Sequence, residues 1–70
     1  MEREYVNSSM LTCFGYDADN STLEVEFKNG VVWQYSGVAE NVYHDMKNSA
    51  SAGKFFHANI KGQYAESQVG

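Results

Sequence analysis

Side chains able to bind an anion recur at helical spacing near the end of the chain. Lys54, His57 and Lys61 stand at positions i, i+3 and i+7, so they share one face of a helix, and Lys47 lies one predicted helix earlier. Clustered lysines bind phosphate groups with an affinity that falls as salt rises. So few lysines predict a weak phosphate site. The same spacing also fits an ordinary solvated helix face, and both interpretations stay open at this point.

The other side chains that could do acid–base, nucleophilic or metal chemistry form no recognisable constellation. Cys13 stands within a predicted strand without a histidine or acid at a catalytic spacing, as is typical of a small buried hydrophobe. His44 and His57 fall on the polar sides of their helices, whereas a zinc site needs about four convergent ligands. Asp17 and Asp19 lack the later glycine and glutamate of a calcium loop, so they are typical of a turn. The sequence therefore predicts no catalytic residue, no metal site and no cofactor, in a protein that is not an enzyme.

Length, charge and cysteine content limit the class of protein. Seventy residues allow one domain, and residues 1–70 are predicted to form it. The net charge is −4, but residues 1–40 hold two basic against seven acidic side chains and residues 41–70 hold three basic against two acidic. A single cysteine, no signal-peptide pattern and no apolar run near the roughly 18 residues of a membrane span predict a cytoplasmic protein with no membrane partner.

Two hydrophobic periods divide the chain into a strand half and a helix half. Apolar residues first alternate between turn-forming segments, as in antiparallel strands. The predicted strands are residues 9–16, 22–27 and 31–35. From Val38 the apolar period becomes helical, residues 48–51 weaken it, and Phe56 and Ile60 mark a second helix. The fold class is therefore α+β, a three-stranded antiparallel β-meander followed by one long and one short α-helix packed on one face (β-β-β-α-α). The ordered core is expected at about residues 6–64, with flexible ends.

The hairpin between the second and third strands decides what the aromatic rings can do. A two-residue loop at residues 29–30 would place Trp33 and Tyr35 on the acidic outer face, as an exposed stacking platform. A three-residue loop at residues 28–30, closed by a left-handed glycine, would instead place Trp33 opposite Val25 on the apolar face. The second register gives one coherent apolar face and is the one predicted. Both rings then lie mostly in the core.

The starts of the two helices carry capping signals. Ser36 or Gly37 is predicted to cap the first helix, and Ser51 the second. Gly53 is expected to allow a close approach of the second helix to the sheet or to the first helix. Ser51 and Lys54 at a helix start can also receive a phosphate or another anion.

The order of short motifs resembles the KTSC domain family from about residue 6 to residue 64. In the first half the motifs are Ser8-Ser9, Gly15-Tyr16-Asp17, Leu23-x-Val25-x-Phe27 and Trp33-Gln34-Tyr35. In the second half they are Val38-x-Glu40-x-Val42-Tyr43, Ser51-x-Gly53-Lys54-Phe55-Phe56 and Ile60-Lys61-Gly62-x-Tyr64. That family occurs at the C-terminus of some lysyl-tRNA synthetases and as a stand-alone protein in bacteria and phages. The resemblance therefore implies RNA as a partner.

Two functions are expected from these observations, and the oligomeric state stays open. The first is weak binding of RNA or another phosphate-bearing ligand. Its expected residues are Lys47, Ser51, Gly53, Lys54, His57 and Lys61, while the aromatic motif of Trp33 and Tyr35 is expected in the core. The alternative is a small phage- or prophage-type interaction module that binds a host protein through a sheet face or an exposed edge strand. That sheet face would carry Glu24, Glu26, Val32 and Gln34.

Overall fold

The computed structural model describes residues 2–70 and confirms an α+β fold. Its elements in chain order are β1 (Arg3–Tyr5), β2 (Leu11–Asp17), β3 (Thr22–Phe27), β4 (Val32–Ser36), α1 (Glu40–Asn48), α2 (Ala52–Asn59) and β5 (Ala65–Gln68). The strands form one sheet in the order β1-β2-β3-β4-β5, and every neighbouring pair is antiparallel. The predicted meander is therefore the centre of a larger sheet.

The prediction of three strands is wrong in number, because β1 and β5 extend the sheet at both edges. They lie in the end segments that the sequence predicted to be flexible. β5 is exposed at all four residues and has no apolar alternation, so its sequence carries no strand signal. Backbone pairing holds it instead: Ser36 pairs with Ala65 and Trp33 with Gln68 along β4. Hydrophobic periodicity therefore does not predict edge strands of this kind.

The predicted register of the β3–β4 hairpin is confirmed. Val25 pairs with Trp33 and Leu23 with Tyr35. The Phe27 N–H donates to the Val31 carbonyl over 2.9 Å, and Gly30 closes the three-residue loop with a φ of +87°. Tyr35 is consequently buried, with 2% of its surface exposed, whereas Trp33 is half-buried at the margin of the core.

Both helices lie on the apolar face of the sheet. The buried cluster contains Leu11, Phe14, Leu23, Val25, Tyr35, Val38, Met46, Phe56 and Ile60. Tyr16 joins the strands to α1, because its ring stacks on Tyr43 at 5.1 Å and its hydroxyl donates to the Val38 carbonyl over 2.5 Å. Cys13 is buried as predicted, on the other face of β2.

The helices differ from the prediction in their starts and relative lengths. α1 begins at Glu40 after Ala39, which provides no side-chain cap, so neither Ser36 nor Gly37 caps it. Val38 is held outside the helix because its N–H donates to the Ser21 carbonyl over 2.9 Å. With that turn lost, α1 has nine residues and α2 has eight, rather than one long and one short helix. The Ser51 cap of α2 is confirmed.

Candidate functional site

A groove of about 460 Å³ lies between the loop before β2 and the start of α2. It is lined by Asn7, Ser8, Ser9, Met10, Ser51, Gly53, Lys54 and His57. These residues offer hydroxyl groups, a side-chain amide, the Lys54 ammonium group and the His57 imidazole. No carboxylate is among the lining residues that the structure describes, so the groove is chemically suited to an anion.

The walls of the groove are shaped by two serine side chains. The Ser8 hydroxyl accepts hydrogen bonds from the Met10 N–H (3.1 Å) and the Leu11 N–H (3.3 Å), which turns the loop into β2. On the opposite wall, the Ser51 hydroxyl accepts from the Lys54 N–H at 3.3 Å and caps α2. Each serine therefore orders the backbone of its own segment.

Gly53 sets the distance between the two walls. It is buried, and a Cβ placed on it would lie 2.7 Å from the Ser8 hydroxyl oxygen. Only glycine lets α2 come this close to the loop without displacing that oxygen. A close approach at Gly53 was predicted, but the prediction named the wrong neighbour: Ser8 in the loop faces it, not the sheet or α1.

The structure brings four of the six expected anion-binding residues into the groove and separates the other two. Ser51, Gly53, Lys54 and His57 line it together. Lys61 lies beyond the end of α2 and lines a neighbouring cavity instead. Lys47 is on α1, where its ammonium pairs with the Glu4 carboxylate at 3.1 Å, and this hydrogen bond raises the pKa of Lys47.

The neighbouring cavity is smaller and mostly aromatic. It measures about 240 Å³ and is lined by Met10, Phe27, Trp33, Tyr35, Phe56, Lys61 and Glu66. The Phe56 ring meets Phe27 and Tyr35 edge-on, with centroids 5.5 and 5.4 Å apart. Met10 lines both the groove and this aromatic cavity, so the two are adjacent. Glu66 and Met10 were missed as site residues because their place depends on β5 and on the loop before β2.

The acidic strand half is separated from the groove by the sheet. Arg3 forms ion pairs with Glu24 and Glu26, and the amide of Gln34 donates to Glu24 over 2.9 Å. The Arg3 guanidinium also donates to the Cys13 sulfur over 3.4 Å. This face lies on the side of the sheet opposite the helices, so much of its negative charge is already compensated locally.

The remaining candidate residues have structural roles in the part of the chain that is described. The Asp17 carboxylate accepts from the Asn20 side chain (2.8 Å) and the Asp19 N–H (3.1 Å), and these bonds lower the pKa of Asp17. His44 pairs with Glu40 along α1 at 3.5 Å. Within residues 2–70 there is no group of three or more His, Cys, Asp or Glu side chains placed to hold a metal ion. Neither helix in this range has the length and apolarity needed to cross a membrane.

Comparison with known proteins identifies similar chains. The KTSC domain model matches residues 7–64. A lysine–tRNA ligase of Nostoc sp. is 33% identical over 61 residues, covering 87% of this chain but 11% of the ligase. An uncharacterised protein of Stutzerimonas stutzeri is 34% identical over 64 residues, covering 91% of this chain and 90% of that protein. The crystal structure of a KTSC domain protein from Yersinia pestis superposes with a TM-score of 0.93 at 36% identity, covering 99% of this chain and 97% of the other.

Proposed function

This chain belongs to the KTSC domain family, and from that premise we propose that it is a small non-enzymatic domain that binds RNA weakly through its groove. One observation carries the proposal. Two motif segments that are distant in sequence, Ser8-Ser9 and residues 51–57, line the same groove. Its lining includes the basic side chains Lys54 and His57 and no carboxylate. Hydroxyl groups, backbone N–H groups and lysines are the usual partners of nucleic-acid phosphates.

The charge distribution supports this proposal despite a net charge of −4. Glu24 and Glu26 are paired with Arg3 on the far side of the sheet. Charges separated by more than about 8–10 Å of solvent at physiological salt are largely screened from each other. An anion in the groove would therefore interact mainly with the side chains nearest to it, and the basic ones among these are Lys54 and His57.

The relatives support RNA as the phosphate-bearing partner. This chain spans about a ninth of the length of the lysine–tRNA ligases that it matches, so it corresponds to a small segment of those enzymes. Their names state that tRNA is their substrate. A segment that is found both within such an enzyme and as most of a small protein is consistent with a modular RNA-binding role.

A salt series with matched charge reversals tests the proposal. One lysine contact, at Lys54, predicts a slope of about −0.7 for log K against log salt with single-stranded RNA, which is about a 2.6-fold loss between 50 and 200 mM. Lys54→Glu should weaken binding by roughly tenfold or more, because one attraction becomes a repulsion. Lys47→Glu changes the net charge equally outside the groove, and we expect less than a twofold effect. Equal losses in both variants would refute the assignment of the groove.

Binding of a partner protein is a second candidate function. It is favoured by the edge strand β5, which is exposed at all four residues, and by the outer sheet face, because both helices within residues 2–70 lie on the opposite face. An open strand edge can pair with a strand of another chain. We expect a protein partner to protect the amides of residues 65–68 from hydrogen exchange in a host extract. Unchanged exchange there would count against this function.

A further inference from the structure

The aromatic cavity is lined mainly by aromatic rings. Phe27, Trp33, Tyr35 and Phe56 supply its walls, and its volume of about 240 Å³ is roughly half that of the groove. Lys61 and Glu66 are the charged residues of its lining, and both side chains are exposed. The Phe27 and Trp33 rings are half-buried, and accessible faces of aromatic rings stack on nucleobases. The cavity thus combines a stacking surface with polar groups that can contact the edge of a ring.

The Tyr35 hydroxyl is an unpartnered polar group at this cavity. Tyr35 is 2% exposed, yet its hydroxyl forms no hydrogen bond with any of residues 2–70, whereas the hydroxyl of Tyr16 is bonded to the Val38 carbonyl. No fully buried side-chain nitrogen or oxygen within that range lacks a partner, so the Tyr35 hydroxyl is reached from the cavity. Burial, with a further contribution from the Glu66 charge, raises the pKa of Tyr35 to about 12. The hydroxyl is therefore protonated at neutral pH and can donate a hydrogen bond to a ligand.

The aromatic cavity and the groove form one continuous surface. Met10 lines both. Lys54 and His57 on α2 line the groove, and Lys61, just beyond the end of that helix, lines the cavity. A nucleic-acid strand whose phosphates contact Lys54 is thus directed by Lys61 toward the mouth of the cavity.

We propose that the aromatic cavity binds one unstacked base of a single-stranded RNA whose phosphates lie in the groove. This rests on the proposed function, because it uses the groove as the phosphate site. The Glu66 carboxylate accepts a hydrogen bond from an exocyclic amino group, and the Tyr35 hydroxyl donates to the ring nitrogen beside that group. Adenine and cytosine present this amino–acceptor pair, whereas uracil presents a carbonyl and an N–H. The cavity therefore prefers adenine and cytosine to uracil.

Trp33 provides a direct readout, since it is the single tryptophan of the chain and lines the cavity. The probes are the tetraribonucleotides rA4, rC4 and rU4 and an abasic ribose-phosphate tetramer, each followed by Trp33 fluorescence and by a competition assay for affinity. We expect rA4 and rC4 to quench Trp33 and to bind about tenfold more tightly than rU4 and the abasic tetramer. Equal binding of all four probes without quenching of Trp33 would refute the base site but would remain consistent with phosphate binding in the groove. No binding of any of them would overturn the proposed function and the base site together.

Two conservative variants test the hydrogen-bonding groups. Glu66→Gln adds an amide donor to an exposed edge residue, and we expect it to abolish the preference for rA4 and rC4 over rU4 while Trp33 quenching persists. Tyr35→Phe removes only the hydroxyl and should reduce the same preference. Glu40→Gln on α1 makes the same charge change as Glu66→Gln far from the cavity and should leave the preference intact. An unchanged preference in a folded Glu66→Gln variant would refute the proposed base contact, even if Tyr35→Phe does not fold.

Discussion

A methyl group added at Gly53 tests how the groove is built. In Gly53→Ala the new Cβ would lie 2.7 Å from the Ser8 hydroxyl oxygen, closer than non-bonded atoms approach. Ser8 can escape only by rotating its hydroxyl away. That rotation breaks the hydrogen bonds from the Met10 N–H (3.1 Å) and the Leu11 N–H (3.3 Å). The substitution therefore has two opposing effects: alanine favours the helix, whereas the clash disrupts the turn that positions the opposite wall.

The magnitude follows from two opposing contributions to the free energy of unfolding. Losing two hydrogen bonds of about 0.5–1.5 kcal/mol each removes stability, although water can replace the exposed one at Met10. Alanine in place of glycine within a helix adds up to about 0.8–1.0 kcal/mol. We expect Gly53→Ala to destabilise the domain by about 1 kcal/mol, equivalent to roughly 4–8 °C in Tm for a domain of this size.

A double-mutant cycle with Ser8→Ala separates the two contributions. Without the Ser8 hydroxyl, the nearest atoms to the new methyl are the Cβ of residue 8 at 3.8 Å and the Met10 Cβ at 4.0 Å, which are ordinary contacts. In that background Gly53→Ala should stabilise the domain by up to about 1 kcal/mol, because only helix propensity remains. Urea unfolding followed by Trp33 fluorescence measures all four proteins. The same loss of stability in both backgrounds, or a gain in the wild type, would refute this reasoning.

Three further predictions concern the surrounding structure. The pKa of Tyr35 is raised from 10 to about 12, so between these pH values the folded state keeps a proton that the unfolded state loses. The free energy of unfolding should therefore fall as pH rises from about 10 to 12. In urea titrations, Tyr35→Phe should remove this part of the loss of stability at alkaline pH. Gly30→Ala should lower the free energy of unfolding by about 1–2 kcal/mol, because φ is +87° at this position. No atom lies within 4 Å of the new methyl, so the loss comes from the backbone conformation and not from a clash. Gly30→Asn should cost less in the same assay. Arg3→Ala should lower the free energy of unfolding by about 1–2 kcal/mol in urea titrations, because Glu24 and Glu26 lose their ion-pair partner, whereas Lys28→Ala at an exposed position should change it by less than about 0.5 kcal/mol.

The centre of the fold was predictable because its information is local. Alternation in residues 22–27 and a left-handed glycine at residue 30 specify the hairpin register, and that register decides that Tyr35 is buried. The edge strands were not predictable, because the polar residues of β1 and β5 are held by backbone pairing rather than by an apolar face. The start of α1 was missed for a related reason: Val38 obeys the helical period, but its N–H donates to the Ser21 carbonyl in the turn between β2 and β3.

The candidate site was predictable to the extent that it lies on one helix. Ser51, Lys54 and His57 fall together because helical spacing alone places them on adjacent turns. Lys47 lies outside the groove, and its pairing with Glu4 could not be inferred because it depends on β1. The aromatic cavity could not be inferred either, because it needs Glu66 on β5 beside Tyr35.

An amide chemical-shift titration of the labelled protein with a structured tRNA and a short single-stranded RNA, at low and moderate salt, tests RNA binding most directly. We expect salt-sensitive shifts at residues 7–10, 51–57 and 61, and with the single-stranded RNA also at Trp33, Tyr35 and Glu66, with Lys47 and the outer sheet face unchanged. The absence of shifts at either salt would contradict RNA binding. Shifts confined to residues 65–68 and the outer face would contradict the assignment to the groove.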